Sequence, residues 1–566
     1  MIPRINTAAL LGLEAYGVTA EIDISAGLPA LTIVGLPDKA INESRERIKS
    51  AIKNSPFAFP LKKILMNLAP AHLPKEGTGF DLPLCVGILL ASEILTPTVF
   101  LDQTCFVGEV SLEGSLRGIH GILSIALMAK AQGIRYLVVP EENWAEASLV
   151  EGIEVFGLKH LNELPVFFLN PHHFAKPKPQ VFANESIKPP PYSVDFADIK
   201  GQAIAKRSLE IAAAGAHNVL MVGPPGSGKS MLAKALAGIL PPMTFEEMLD
   251  VSRIYSVAGL LPKGQAIMPH RPFRSPHHSA SKAGLAGGGS HPKPGEITLA
   301  HRGVLFLDEL MEYPRSLMEV LRQPLEDGVI SISRVQQSIT YPAQCMVVAA
   351  MNPCPCGYLG DSVKACSDHD GAVQRYLSRL SGPIADRIDM HLEVPRLSPE
   401  ELLNSNQAVT ESSQVIRKRV IAAREKQVAR FKDEGIFANA EMPPALIRKY
   451  CVLDAASQHM MGVAMQRLHL SARAFDRVLR LSRTIADLAD SESIQSAHLA
   501  EALQFRAIDK LYRSIQQQAS QQAEHCNGTK APLSRLPHSA TSFPGAPVSA
   551  GYSTGQTLST FNTKAG

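Results

Sequence analysis

The sequence predicts an α/β fold built around a parallel sheet, and three stretches carry that prediction. The first joins an apolar run, Val219 to Val222, to Gly223-Pro224-Pro225-Gly226-Ser227-Gly228-Lys229-Ser230 and then to a helix-like run, Met231 to Ala237. The second is Val304-Leu305-Phe306-Leu307, closed by Asp308 and Glu309. The third is Val347 to Met351, closed by Asn352. Short apolar runs bounded by glycine-rich or polar segments read as strands buried on both faces.

The first stretch fits G-x-x-x-x-G-K-[ST] at every fixed position, in the strand–loop–helix context that the motif requires. Its glycines let backbone N–H groups face a phosphate, and the helix that follows adds partial positive charge. Residues Gly223 to Ser230 are therefore candidate ATP-binding residues. Lys229 would reach the β- and γ-phosphates, and the Ser230 hydroxyl would hold Mg²⁺. The plain alternative is a Gly/Pro turn. Asp308 would join Ser230 at Mg²⁺, and Glu309 would polarise the attacking water. Asn352 would orient that water, or else simply open the turn before Pro353. Residues alone thus give a Mg²⁺-dependent P-loop ATPase.

A chain of 566 residues holds roughly three or four domains at about 150 residues each. The net charge of +3 is small for this length, so any nucleic-acid site must be a local stripe. Met1-Ile2-Pro3-Arg4 does not open a secretory signal. The longest apolar stretch, Leu82 to Leu95, contains Glu93 and is too short to span a bilayer. A soluble cytoplasmic protein with no membrane partner is expected. Eight cysteines in such a chain do not suggest a disulfide scaffold.

Residues 1–165 read as a separate α/β domain. Gly17 to Ile24 alternates as a strand, a polar helix runs from Pro37 toward Lys53, and Lys63 to Leu68 and Gly133 to Pro140 supply further strands. Residues 166–194 are a proline-rich spacer. Residues 195–396 form the ATPase core. Its insert carries Arg271, Arg274, His277 and His278, a nucleic-acid contact or a merely solvated loop. Gly328 to Tyr341 reads as a hairpin whose tip carries Arg334, a second DNA candidate. Cys354, Cys356, Cys366 and His369 cluster closely enough to hold Zn²⁺, or are reduced thiols in a loop. Residues 397–517 are helical, with Ile416, Val420, Ala423, Val428 and Phe431 on one face and Arg417, Lys418, Arg419, Arg424, Lys426 and Arg430 on a solvated one. Residues 518–566 have the composition of a disordered tail.

Four runs appear in one order: Pro292 to Ile297, Val304 to Glu309, Met351 to Gly357, and Leu380 to Pro383. With Leu28 to Pro37 and Pro74 to Pro83, they make the chain from residue 1 to about 515 resemble the YifB/ComM group of magnesium-chelatase-like AAA+ ATPases. The resemblance implies an AAA+ P-loop sheet with a helical lid over the nucleotide, preceded by a Lon-protease-like α/β domain. The Lon-type nucleophile position is Gly79 here, and Ile122 to Leu127 contains no lysine, so peptidase chemistry is not expected. The resemblance also implies Arg387 as an arginine finger into the neighbouring subunit's site and Arg473 as a second sensing arginine. It places a fourth cysteine at the position of Asp368. It implies a ring, a homo-hexamer acting on single-stranded or branched DNA, and a branch-migration helicase of natural transformation. The alternative is the ATPase subunit of a metal chelatase or a protein remodeller.

Overall fold

The computed structural model describes residues 2–98, 100–177, 194–262, 264–289, 293–333, 338–380, 382–398, 400–401, 411–468 and 470–505. All belong to one compact unit, residues 1–515. Arg334, most of the proline-rich spacer and the tail 518–566 lie outside the described residues.

The N-terminal domain is a seven-stranded mixed sheet. Its strands are β1 (Arg4–Leu11), β2 (Glu14–Ser25), β3 (Ala30–Val34), β4 (Lys63–Ala69), β5 (Thr104–Phe106), β6 (Tyr136–Pro140) and β7 (Glu154–Leu158), in the order β3-β4-β2-β1-β5-β6-β7. Helices α1 (Lys39–Lys53), α2 (Asp81–Ala91) and α3 (Ile122–Ala131) accompany them. The predicted polar helix starts where the Asp38 carboxylate accepts the Ile41 N–H, a side-chain N-cap. Leu82 to Leu90 is buried along its whole length, which explains an apolar run too short for a membrane. Among the described residues no helix is long and apolar enough to cross one. A Cβ on Gly79 would meet only the Ile119 side chain at 3.4 Å, with no base beside it.

The second domain begins with α4 (Ala203–Gly215), β8 (Val219–Val222), α5 (Lys229–Ile239) and α6 (Phe245–Ala258). It continues through β9 (Phe273–Arg274), β10 (Val304–Leu307), α7 (Arg322–Asp327), β11 (Val329–Ser333), β12 (Ser338–Pro342), β13 (Met346–Met351), α8 (Asp370–Leu377) and β14 (Met390–Glu393). Five strands form a parallel sheet in the order β9-β10-β13-β8-β14. Every residue of β8, β10 and β13 is buried, as their unbroken apolar runs require. The chain leaves β8 for the far edge and returns on its other side at β14. That reversal opens a crevice at the carboxyl ends of the strands, where ligands of such sheets bind.

The helical region supplies α9 (Ser413–Arg430), α10 (Pro444–Tyr450), α11 (Ala455–Leu468), α12 (Ala472–Leu488) and α13 (Ser496–Gln504). Ile416, Val420, Ala423 and Phe431 are buried as expected, and Val428 is exposed. The basic side of α9 is not the solvated face its charges predict. Arg424 is 8% exposed and donates to the Ala213 and Ala214 carbonyls, while Arg430 pairs with Asp487. A helix buried on two sides must give its arginines acceptors there.

The two domains meet along α3 and α6. Arg253 on α6 donates to the Leu13 carbonyl and pairs with Glu14 at 2.8 Å. The β11–β12 hairpin also reaches the N-terminal domain: a Cβ on Gly12, whose φ is +62°, would lie 2.5 Å from the Ile339 side chain.

Candidate nucleotide site

The site is built where β8 runs out. Gly223 donates to the Met351 carbonyl of β13, and Val394, just past β14, donates to the Val222 carbonyl, so the loop starts clamped between its strand's neighbours. A side chain at Gly223 is excluded, because its Cβ would lie 2.1 Å from the Val394 carbonyl oxygen. Gly226 and Gly228 take φ of +77° and +92°, and a Cβ on either would meet nothing within 4 Å. Their conformation requires glycine, and the space above them is open, as a cradle for phosphates must be.

Four side chains converge on that space. The Lys229 ammonium donates to the Gly223 carbonyl at 2.7 Å, to the Pro224 carbonyl at 2.9 Å and to Asn352 Oδ1 at 3.4 Å. Burial lowers its pKa, and the Asp308 charge opposes that shift. The Ser230 hydroxyl donates to Asp308 Oδ2 at 2.6 Å. Hydroxyl and carboxylate oxygens so close fit a hard divalent cation, which takes oxygen ligands and keeps several waters. The donor set therefore suits Mg²⁺.

Glu309 has φ of +50°, which turns it out of the line of β10 and leaves its side chain 63% exposed. Its carboxylate faces His278 Nδ1 at 3.6 Å. The histidine pair thus sits at the nucleotide site, His277 and His278 having ring centroids 4.0 Å apart. The sequence alone reads the pair as part of a nucleic-acid contact or of a merely solvated loop. Its place beside Glu309 depends on a fold-back fixed by Tyr313, whose hydroxyl donates to the Pro276 carbonyl at 2.6 Å.

The other insert residues do not behave as free phosphate contacts. Arg271 is buried in a bidentate pair with Glu247, and Arg274 is held by both oxygens of Glu296 at 2.6 and 2.7 Å. A guanidinium spent on a carboxylate has little left for DNA.

Arg387 and Arg473 are brought together, but far from their own chain's loop. Arg387 Nε donates to Glu326 Oε2 at 3.1 Å, and Arg473 Nη2 to Glu326 Oε1 at 2.9 Å. Met390 of β14 is level with Val219, the first residue of β8, so Arg387 lies at the amino ends of the strands. The height of the sheet, about 13 Å for four residues, separates it from the loop at the carboxyl ends. Arg473, held by the same Glu326, stands with Arg387.

The cysteine loop follows Asn352 directly. The three sulfurs of Cys354, Cys356 and Cys366 lie 3.4, 3.5 and 3.6 Å apart. These distances exceed a disulfide bond, and they approach the spacing of about 3.8 Å between sulfurs around tetrahedral zinc. The fourth group gathered with them is Asp368, not the expected His369. His369 is the N-cap residue of α8, so it opens a helix instead of closing the cluster. The donor set suits zinc, which accepts three thiolates and a carboxylate. The loop also touches the phosphate loop: a Cβ on Gly357 would lie 2.7 Å from Pro225 Cδ.

Comparison with known proteins agrees with this architecture. Residues 195–402 match the family described as magnesium chelatase, subunit ChlI, residues 20–143 match subunit ChlI of Mg-chelatase, and residues 410–506 match its C-terminal part. The uncharacterized protein YifB of Salmonella typhimurium is 45% identical over 512 residues, 90% of this chain and 98% of its own length. The competence protein ComM of Haemophilus influenzae is 42% identical over 514 residues, again 90% of this chain and 98% of the relative. The magnesium-chelatase 67 kDa subunit of Chlorobaculum parvum is 29% identical over 169 residues, 28% of this chain and 23% of that subunit.

Proposed function

The chain belongs to the YifB/ComM family of magnesium-chelatase-like AAA+ proteins, and from that premise we propose that it is an ATP-driven DNA motor, a ring-forming helicase that migrates branched recombination intermediates. The observation that supports ATP turnover is the convergence of Lys229, Ser230, Asp308 and Asn352 on one open glycine loop. DNA as the partner rests on the 42% identity to a competence protein across nearly all of its length.

In this reading the Lys229 ammonium exchanges its two loop carbonyls for β- and γ-phosphate oxygens. Ser230 and Asp308 hold Mg²⁺, which when bound neutralises phosphate charge. Glu309 takes the proton of the attacking water as the bond from the γ-phosphorus to its bridging oxygen breaks. Asn352, one residue past β13, orients that water. Arg387 and Arg473 belong to the next subunit's site, because each chain's own arginines lie at the wrong end of its sheet. In a homo-hexameric ring such a head-to-tail contact repeats at every interface. A structural zinc on Cys354, Cys356, Cys366 and Asp368 completes the proposal by fixing the loop between Asn352 and Pro225.

The test is ATP turnover by the full chain with no DNA, with single-stranded DNA and with a four-way junction, followed by conversion of a labelled junction to duplexes. Stimulation by DNA and ATP-dependent junction conversion are expected. Turnover indifferent to every DNA would remove the motor and favour the chelatase-type remodeller.

A further inference from the structure

A second cavity lies at the other end of the sheet. It has a volume of about 390 Å³, and Asn218, Gly303 and Met346 line it from the amino ends of β8, β10 and β13. Arg424 of α9 and Arg480 of α12 line it from the helical region. The cavity therefore lies between the ATPase core and the helices, and no residue of the phosphate loop lines it.

Four arginines line this space, and their pairing is uneven. Arg271 is satisfied by Glu247, and Arg302 pairs with Glu441 at 3.2 Å while its Nε has no partner. Arg424 is buried, and its Nε and Nη2 reach only backbone carbonyls. Arg480 makes no side-chain hydrogen bond or ion pair among the described residues, and its Nε is buried. Two lining carboxylates remain, Glu326 and Asp327, both exposed. Glu326 is already shared by Arg387 and Arg473. Burial pulls the Arg424 pKa down to about 10, and it lowers that of Arg480 as well. Glu247 and Glu441 oppose the shift of Arg424, and Asp389 and Asp476 that of Arg480, yet none of them forms a direct ion pair with either. A buried cation not paired at contact is costly unless something anionic reaches it.

We propose that this cavity is a binding site for a small phosphorylated molecule, held by Arg480, Arg424 and the free Nε of Arg302, and distinct from the ATP site. The volume is in the range of small-ligand pockets. Leu240, Leu325, Ile436 and Met442 give it an apolar wall beside the cations, as a phosphate ester with an organic portion requires. Because two of the arginines belong to the helical region and one to the core, an occupant draws the two parts together. The site thereby couples the concentration of its ligand to the position of α12, which carries Arg473. This inference does not depend on the DNA role.

The probe is inorganic pyrophosphate, measured by calorimetry at constant ionic strength on the full chain carrying Lys229→Ala, which silences the phosphate loop. One site per chain is expected to remain. Adding Arg480→Gln should weaken it at least tenfold, and adding Arg302→Gln should weaken it by a smaller factor. A melting curve like that of the Lys229→Ala chain shows that each double variant is folded. If Arg480→Gln does not fold, the Arg302→Gln arm decides alone. Loss of all pyrophosphate binding in Lys229→Ala overturns the proposal, as does binding indifferent to these arginines. Either result leaves the ATPase and DNA readings untouched.

Discussion

At the scale of single residues, the site separates binding from turnover. Lys229→Ala removes the cation that three oxygens now hold, and nucleotide binding should fall below detection in a fluorescent-ATP titration. Glu309→Gln keeps Lys229, Ser230 and Asp308 in place. It should bind ATP like the parent and hydrolyse it about 10²- to 10⁴-fold more slowly, the usual worth of a positioned base. Equal turnover of parent and variant would remove Glu309 from the mechanism. The sequence revealed this machinery because each group is fixed relative to a strand: Ser230 by the motif's spacing, Asp308 and Asn352 by following the last apolar residue directly. His278 and Glu326 were not legible, because a loop fold-back and a contact across α7, Arg387 and Arg473 leave no local pattern. The sequence offers His369 as the fourth zinc ligand, and Asp368 only as the position where the resembled family carries a cysteine. Backbone direction at the N-cap of α8 chose between them.

Single elements carry two further predictions. The cysteine loop should bring about one zinc per chain, the content of one four-ligand site. Cys366→Ser and Asp368→Ala should both lower metal content and melting temperature, while His369→Ala should leave the metal in place. Atomic emission on purified protein and its variants checks this, and metal-free protein would leave only free thiols. The second element is the α3–α6 contact. Glu146 is buried there, accepts the Leu123 N–H, and has its pKa raised to about 7, first by burial. Its acid form is favoured on folding, so its stabilising share is present below about pH 4.5. That share is lost as pH rises toward 7. A shift from 4.5 to about 7 corresponds to about 3 kcal/mol. Glu146→Gln keeps an acceptor oxygen for Leu123 and should melt higher than the parent at pH 8, with the gap closing by pH 5. A gap independent of pH would contradict the assignment. Helix α9 shows why patterning misled here: its charges suggested a wet face, but Arg424 is buried against α4 and Arg430 is half-buried against α12, by tertiary contacts that no helical period records.

For the whole molecule, the decisive feature is that Arg387 and the phosphate loop occupy opposite ends of one sheet. With Arg387 as the proposed finger, a single chain does not complete its own site, and a neighbour is required. The order of the elements was legible because strands and motifs are local, whereas the association of Glu326 with both arginines belongs to packing across the molecule. The most direct test is to mix two variants that are each inactive alone. Arg387→Ala supplies an intact Glu309, and Glu309→Gln supplies an intact Arg387. Each alone should turn over ATP about 10²- to 10⁵-fold below the parent, from loss of the base or of a finger in trans. In randomly mixed rings about one interface in four pairs an intact Glu309 with an intact Arg387. Recovery to about a quarter of parental turnover is predicted from that pairing. Full activity of Arg387→Ala as a monomer, or no recovery in the mixture of two folded variants that assemble together, would contradict the shared site.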